Sequence, residues 1–291
     1  MSLTKNGRTV IGIIGLGVVG DAVRDFFEMR GHSLRVFDPV RGMGSQSSVN
    51  EADLIFVCVP APFQPHTGFD DSALEEAVSL LDGSKVIVIK STVLPGTTEA
   101  YQIRYSQHCF FFAPEFLREA QARGDYADPY RQIVGYTAQS RHLAEALLAM
   151  LPPAPFRSIM PSREAEMAKY MTNTFLALKV TFANEIFDLC SALDIDYELV
   201  RDAVGGDPRI GPSHLDALAD GYRGYGGPNL PKDTKALLEL SERLSVPLRL
   251  LRTADRVNAS LLPPIDDAVP LHLVPLSQNA GSDEAAEEQA A

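Results

Sequence analysis

The sequence predicts an α/β protein in which a doubly wound sheet is followed by an all-helical domain with one long helix. Three observations carry that expectation. Short apolar runs alternate with helical stretches through the first 155 residues. Strands that are apolar throughout and separated by helices imply a mainly parallel sheet covered on both faces. The first run ends in a glycine-rich turn, Gly15-Leu-Gly-Val-Val-Gly20, which opens a helix. Finally, Arg163 to about Leu193 contains neither proline nor glycine, and apolar residues recur there at helical spacing. At 1.5 Å per residue this is a rod of about 45 Å.

Strands are expected at Val10–Gly15, Leu34–Asp38, Asp53–Val59, Lys85–Thr92, Cys109–Ala113 and Gln132–Tyr136. Helices are expected at Val18–Arg30, Ser72–Leu81, Thr97–Ser106 and Arg141–Met150. The Pro-rich Leu151–Pro155 closes this first domain, residues 1–155. A helical domain over 156–262 follows, with Ser162 as the expected N-cap of the long helix. Tyr197–Val204, Asp233–Leu244 and the region around Pro247–Ala259 read as further helices. The Gly/Pro-rich Gly205–Pro231 reads as loops around a site. The long helix offers an apolar stripe that one small domain can hardly cover, so a homodimer through residues 163–193 is expected. Residues 263–291, with Pro263-Pro264 and an acidic ending, read as a disordered tail.

Bulk properties narrow the function classes. An apolar content of 45 % and a charged content of 22 % over 291 residues are those of a globular protein large enough for two domains. A net charge of −12 weighs against nucleic acid as a partner. No apolar run reaches the roughly 18–20 residues that span a bilayer. The first residues lead into a strand without a signal-peptide pattern, so a cytoplasmic location is expected. Cys58, Cys109 and Cys190 form neither a metal spacing nor a disulfide framework and read as buried free thiols. The six histidines are scattered, so no metal is expected.

The turn at Gly15 has the context that gives a G-x-G-x-x-G pattern meaning: a strand before it and a helix after it. Gly15 permits the tight turn, Gly17 lets a pyrophosphate approach the backbone, and Gly20 lets helix and strand pack closely. Leu16, Val18 and Val19 complete the loop, and its phosphates would face the positive end of the helix. Asp38 ends the second strand, 18 residues past Gly20, where a carboxylate can accept hydrogen bonds from ribose hydroxyls and would repel the extra phosphate of NADP. NAD is therefore the expected cofactor, in a Rossmann-like domain, although Arg41 lies close by.

Further motifs appear in a fixed order: Cys58-Val-Pro-Ala-Pro62, Ser91-Thr-Val-Leu-Pro-Gly-Thr97, Ala113-Pro-Glu-Phe-Leu-Arg-Glu119, Glu166-Met-Ala-Lys-Tyr-Met-Thr-Asn173, Asp207-Pro-Arg-Ile-Gly211 and Gly224-Tyr-Gly-Gly-Pro-Asn-Leu-Pro-Lys-Asp233. Together they resemble the UDP-glucose/GDP-mannose dehydrogenase family from about Val10 to Asn258. The resemblance implies that Pro60 lies against the cofactor and that Thr92 and Glu115 hold water beside the hydride path. It also implies that Phe116 and Leu117 clamp the substrate with Glu119 nearby, and that Arg209 grips sugar or phosphate, in the family sometimes from the partner subunit. Lys169 and Asn173 are four apart on a helix and share one face. An ammonium and an amide there can bind a carbinol oxygen and stabilise developing alkoxide charge. Asp233 would orient the water that serves as base, or take the alcohol proton through it. Lys179 and Asn184 match no motif position and read as structural.

Two departures qualify the resemblance. In the family's Gly-[Phe/Tyr]-Gly-Gly-x-Cys-x-Pro-Lys-Asp signature the sixth residue is a nucleophilic cysteine, whose thiolate captures the intermediate aldehyde on the way to a second oxidation. Here it is Asn229, and a carboxamide forms no such adduct. Family members also continue into another α/β domain, whereas this chain reaches an acidic tail, so a smaller substrate or a partner-completed pocket is expected. The reading is an NAD-dependent enzyme making one oxidation on a nucleotide, nucleotide sugar or sugar phosphate. A non-catalytic NAD- or nucleotide-binding paralogue and a β-hydroxyacid-type dehydrogenase, which shares the Lys-x-x-x-Asn spacing, stand as alternatives.

Overall fold

Every residue of the central strands is buried, which is why the sequence shows continuous apolar runs there instead of alternation. A computed structural model describes residues 9–261. The strands are β1 (Val10–Ile14), β2 (Ser33–Asp38), β3 (Met43–Gly44), β4 (Leu54–Val57), β5 (Val86–Ile89), β6 (Cys109–Phe112), β7 (Arg131–Tyr136) and β8 (Phe156–Pro161). They form one sheet in the order β3-β2-β1-β4-β5-β6-β7-β8. Strands β2, β1, β4, β5 and β6 are mutually parallel, β3 and β7 pair antiparallel to their neighbours, and β8 runs parallel to β7. The strand order reverses beside β1, between β2 and β4, and such a switch point leaves a crevice at the carboxyl ends of the strands.

Helices cover both faces: α1 (Val18–Met29), α2 (Gln46–Val49), α3 (Ser72–Ser79), α4 (Thr97–Arg104), α5 (Ala122–Ala127) and α6 (Ala144–Met150). On one face Ile11, Ile13, Phe56 and Phe111 pack against Val23, Phe26 and Phe27 of α1 and Leu147 of α6. On the other, Ile14, Ile55, Val57 and Ile87 pack with Leu74, Val78 and Tyr101.

The helical part is built on α7 (Ser162–Ala192), 31 residues, with α8 (Tyr197–Gly205), α9 (Leu230–Arg243) and α10 (Arg249–Leu261). Tyr170 of α7 packs with Leu237 and Leu238 of α9 and Leu251 of α10. The expected helix over Arg163–Leu193 is thus present nearly residue for residue.

Several short elements were not anticipated from sequence: β3, α2, α5 and β8. The last matters most. The sheet does not stop at the Pro-rich Leu151–Pro155 but gains an edge strand whose final residue, Pro161, leads directly into α7. The expected N-cap role of Ser162 is corrected accordingly. Pro161, with extended backbone, occupies the cap, and the buried Ser162 hydroxyl has no hydrogen-bond partner among the described residues. The expected disordered tail, 263–291, lies outside the described residues. No helix among those described is long and apolar enough to cross a membrane.

Candidate active site

The glycine turn shows what each glycine is for. Gly15 has φ +85, and a Cβ there would sit 2.9 Å from the Cys58 carbonyl oxygen. At Gly20 a Cβ would lie 1.9 Å from the Gly15 carbonyl oxygen, so α1 cannot otherwise pack on the turn. A Cβ on Gly17 would meet nothing within 4 Å. Nothing in the chain itself requires glycine at 17, and the open space above it suits a ligand that approaches the backbone. Asp38 closes the turn from β2: its Oδ2 accepts from the Leu16 N–H at 2.7 Å and its Oδ1 from the Arg41 N–H at 2.9 Å. Burial would raise this carboxyl, but those N–H groups hold it below its usual range. The Arg41 guanidinium is engaged by Asp21 at 2.9 Å. Each carboxylate oxygen of Asp38 retains acceptor capacity for ribose hydroxyls.

The other half of the site forms where α7 packs on β6 and β7, beside the segment that follows β6. Lys169 donates to the Glu115 main-chain carbonyl at 2.7 Å and to its carboxylate at 2.9 Å, and the two side chains are only 5 % and 9 % exposed. The second Glu115 oxygen accepts from the Leu117 N–H at 2.9 Å. Burial pushes the Glu115 carboxyl up, yet Lys169, that N–H and Lys90 together hold it below the usual carboxylate range. One turn along α7, Asn173 donates to Asp233 at 2.5 Å, and Asp233, 1 % exposed, also pairs with Lys232. Two spans distant in sequence, 115 and 229–233, are therefore brought to one face of α7.

Asp233 does not cap the helix in which it sits. Helix α9 starts three residues earlier with Asn229 at the cap and a proline in its first turn, and Asp233 donates its N–H to the Asn229 carbonyl at 3.1 Å. The Asn229 side chain makes no cap hydrogen bond. It lies one turn ahead of Asp233.

The remaining expected residues fall in different places. Thr92 lies in the loop after β5, and Pro60 is exposed beyond β4. The Phe116 ring is flanked by the Arg131 guanidinium at 3.7 Å and the Lys169 ammonium at 5.4 Å. Glu119 is apart from this cluster: it lies in an exposed turn and lines a cleft with Val18, Asp21 and residues 120–125, beside the start of α1. Arg209 is 87 % exposed and ion-paired to Asp207. Its loop is tied by the Ile210 and Gly211 carbonyls to Lys179, some 15 Å along α7 from Lys169. Within one subunit Arg209 and Glu119 do not join Lys169.

Three groups escaped the sequence reading, two of them buried and Arg131 partly so. Glu166 reaches from α7 to the start of α4, accepting from the Gly96 N–H at 2.6 Å and from the Thr98 N–H and hydroxyl at 2.8 and 2.6 Å. Arg131 stacks on Phe116. Lys90 directly follows β5 and is 3 % exposed. The only sequence signal for Lys90 was a charge closing an apolar strand.

The glycine turn between β1 and α1, with Asp38 at the end of the second strand accepting from the Leu16 N–H, has the form of a dinucleotide site of the doubly wound class. Sequence models narrow that class. Residues 42–151 match the NAD binding domain, and residues 163–260 the central domain, of the UDP-glucose/GDP-mannose dehydrogenase family. The chain belongs to that family, and its cofactor is NAD.

Among curated relatives, the UDP-glucose 6-dehydrogenase TuaD of Bacillus subtilis is 36 % identical over 227 residues, 73 % of this chain and 47 % of the relative. The UDP-glucose 6-dehydrogenase of Rhizobium meliloti is 33 % identical over 228 residues, covering 73 % of this chain and 51 % of the relative. The GDP-mannose 6-dehydrogenase of Pseudomonas aeruginosa is 30 % identical over 263 residues, covering 82 % and 59 %. The chain thus spans about half the length of the curated relatives it matches. The solved UDP-glucose dehydrogenase of Pyrobaculum islandicum superposes with a TM-score of 0.77 at 28 % identity, over 89 % of this chain and 70 % of that one.

Proposed function

We propose that this chain is an NAD-dependent oxidoreductase that makes a single two-electron oxidation of an alcohol on a nucleotide, nucleotide-sugar or sugar-phosphate substrate, giving an aldehyde or ketone with no covalent thioester step. One observation carries the reading: Lys169, Glu115, Asn173 and Asp233 converge in a buried cluster, while the position resembling the family's nucleophile is Asn229. The substrate class follows the relatives, whose names specify UDP-glucose and GDP-mannose.

Lys169 has three N–H donors and spends two on Glu115, which leaves one for a substrate hydroxyl oxygen. As negative charge grows on that oxygen, the buried ammonium stabilises it. Asn173 spends one N–H on Asp233 and keeps its other N–H and its carbonyl for the same substrate. Asp233 accepts the hydroxyl proton, through water held by Thr92 and Glu115. NAD, when bound, supplies the hydride acceptor. Gly15, Leu16, Gly17, Val18, Val19 and Gly20 would hold its phosphates, Asp38 its ribose, and Pro60 and Thr92 its other end. Phe116, Leu117 and Asn229 would hold the substrate, with Glu119 at the cofactor side and Arg209 reaching a neighbouring subunit.

No other thiol substitutes for the missing nucleophile. Cys58 is the cysteine near this cluster, and burial pushes its thiol up to about 12, where the reactive thiolate is scarce at neutral pH. The homodimer belongs to the same reading: α7 leaves Met171, Phe175, Phe182 and Leu189 exposed along its length, with Leu193 just past its end, a stripe that a second copy would cover. So do a cytoplasmic location and the division into a cofactor domain and a substrate and dimerisation domain, expected near residue 155 and set here after β8, which pairs with β7 in the sheet.

The test is NADH formation at 340 nm with UDP-glucose, GDP-mannose, nucleoside monophosphates and sugar phosphates, counted per substrate consumed. One NADH with a trappable carbonyl product is expected, and Lys169→Ala should lower the rate by about 10²-fold or more. Two NADH per substrate would overturn the single oxidation. NAD binding without turnover across the panel would transfer the assignment to a non-catalytic role.

A further inference from the structure

Glu166 is a buried carboxyl that the proposed chemistry does not use, 0 % exposed and with both oxygens engaged. Its hydrogen-bond partners all lie at the start of α4. Oε2 accepts from the Gly96 N–H at 2.6 Å, and Oε1 accepts from the Thr98 N–H at 2.8 Å and the Thr98 hydroxyl at 2.6 Å. Helix α4 cannot satisfy these groups itself. Gly96 stands at its cap position in the left-handed region, φ +99, and brings no side chain to accept from the first N–H groups. The cap of α4 is therefore supplied by α7.

Gly96 also ends the loop that leaves β5, residues 90–96, which carries Thr92. The other end of that loop is tied to the segment after β4. The Lys90 N–H donates to the Val57 carbonyl at 2.9 Å, and the Ser91 hydroxyl donates to the Val59 carbonyl at 2.6 Å, beside Pro60. Leu94 joins the apolar cluster around Tyr170 of α7, a contact that holds the loop down without fixing its register. The Arg163–Glu99 pair links α7 to α4 as well, but Arg163 is 66 % exposed and such a pair contributes little. Register is set by three hydrogen bonds to one side chain, three residues ahead of Lys169 on the same face of α7. We propose that Glu166 is a positioning residue: by capping α4 from α7 it fixes the loop 90–96, and with it Thr92 and the turn at Val59–Pro60, against the helix that carries Lys169 and Asn173. Protonation leaves the link intact, because a proton on Oε1 can be donated to the Thr98 hydroxyl while both oxygens still accept from N–H groups. A carboxamide has one acceptor oxygen and must turn an NH2 toward one of those two N–H groups. The inference rests on the oxidoreductase reading for the role of Thr92, but its test needs no turnover.

The test uses the full chain with NAD alone. Hydrogen exchange read by mass spectrometry reports the loop, and calorimetry reports NAD affinity. In Glu166→Gln the amides of residues 91–94 should exchange at least about tenfold faster, while those of Leu54–Val57 in β4 keep their wild-type rate. NAD should bind about tenfold more weakly, because a loop in its binding position a tenth of the time lowers the apparent affinity by that fraction. Glu166→Asp, whose carboxylate is one methylene too short to reach α4, should show both effects, and it decides the matter if Glu166→Gln does not fold. Leu147→Ala, which truncates a fully buried contact of α6, should lower stability and leave NAD affinity unchanged. Loosening confined to residues 96–98, an unchanged NAD affinity in the Glu166 variants, or an equal loss of affinity in Leu147→Ala would each overturn the proposal and leave Glu166 a cap alone. Absence of turnover in the wild type would count against the oxidoreductase reading only.

Discussion

Asn229 shows how one residue can be legible in its chemistry and mute about its geometry. That a carboxamide removes covalent capture follows from its identity. That it stands at the cap position of α9, one turn ahead of Asp233, without a side-chain cap bond, required the fold. Asn229→Cys should therefore restore a thiol beside the cluster, and an adduct of substrate mass on that residue, detected by intact-protein mass spectrometry after turnover, is expected. Glu166 carries a second prediction. Burial pushes its carboxyl up to about 7 from 4.5, against three hydrogen bonds that hold it down. Between those two values the folded state binds more protons than the unfolded one, so this group lowers stability as pH rises across the window. The loss of Tm between pH 4.5 and about 7 should be smaller in Glu166→Gln than in the wild type. A parallel pair of curves would show that Glu166 is not linked to folding.

At the scale of elements, periodicity worked best where burial is one-sided and long. Helix α7 was readable because more than eight turns of it repeat one pattern without a breaker. The short elements were not, because β3 is two residues long and β8 mixes half-exposed and polar positions at the sheet edge. Pro152 and Pro153 read as the end of a domain, but pairing with β7 continues the sheet past them. The exposed face of α7 sets the test for assembly. A double substitution, Phe175→Asp with Phe182→Asp, should convert the dimer to monomer in light scattering while the circular dichroism stays unchanged. Both positions are more than half exposed within one subunit, so a dimer that persists would put its interface elsewhere.

For the molecule as a whole, the close fit of α1 onto the first turn links folding to cofactor binding. A Cβ at position 20 would overlap the Gly15 carbonyl at 1.9 Å, and the obstacle is backbone that cannot rotate away. Gly20→Ala should destabilise the protein by about 1–3 kcal/mol in chemical denaturation. It should also weaken NAD binding in calorimetry, because the turn must open to admit the methyl group. Unchanged stability and affinity would mean that α1 does not pack as described.

The sequence by itself determined the fold class, the nucleotide turn, the long helix and the family, because each is written in local signals: period, glycine spacing and ordered motifs. Tertiary structure alone decided which of the named residues meet. Glu115, Lys169, Asn173 and Asp233 converge because β6 ends under α7 and α9 packs along it, whereas Glu119 and Arg209, equally prominent as motifs, project elsewhere. Lys90 and Glu166 belong to the same lesson. Both are buried, and their titrations are shifted by burial and by groups distant in the chain, which no local pattern encodes.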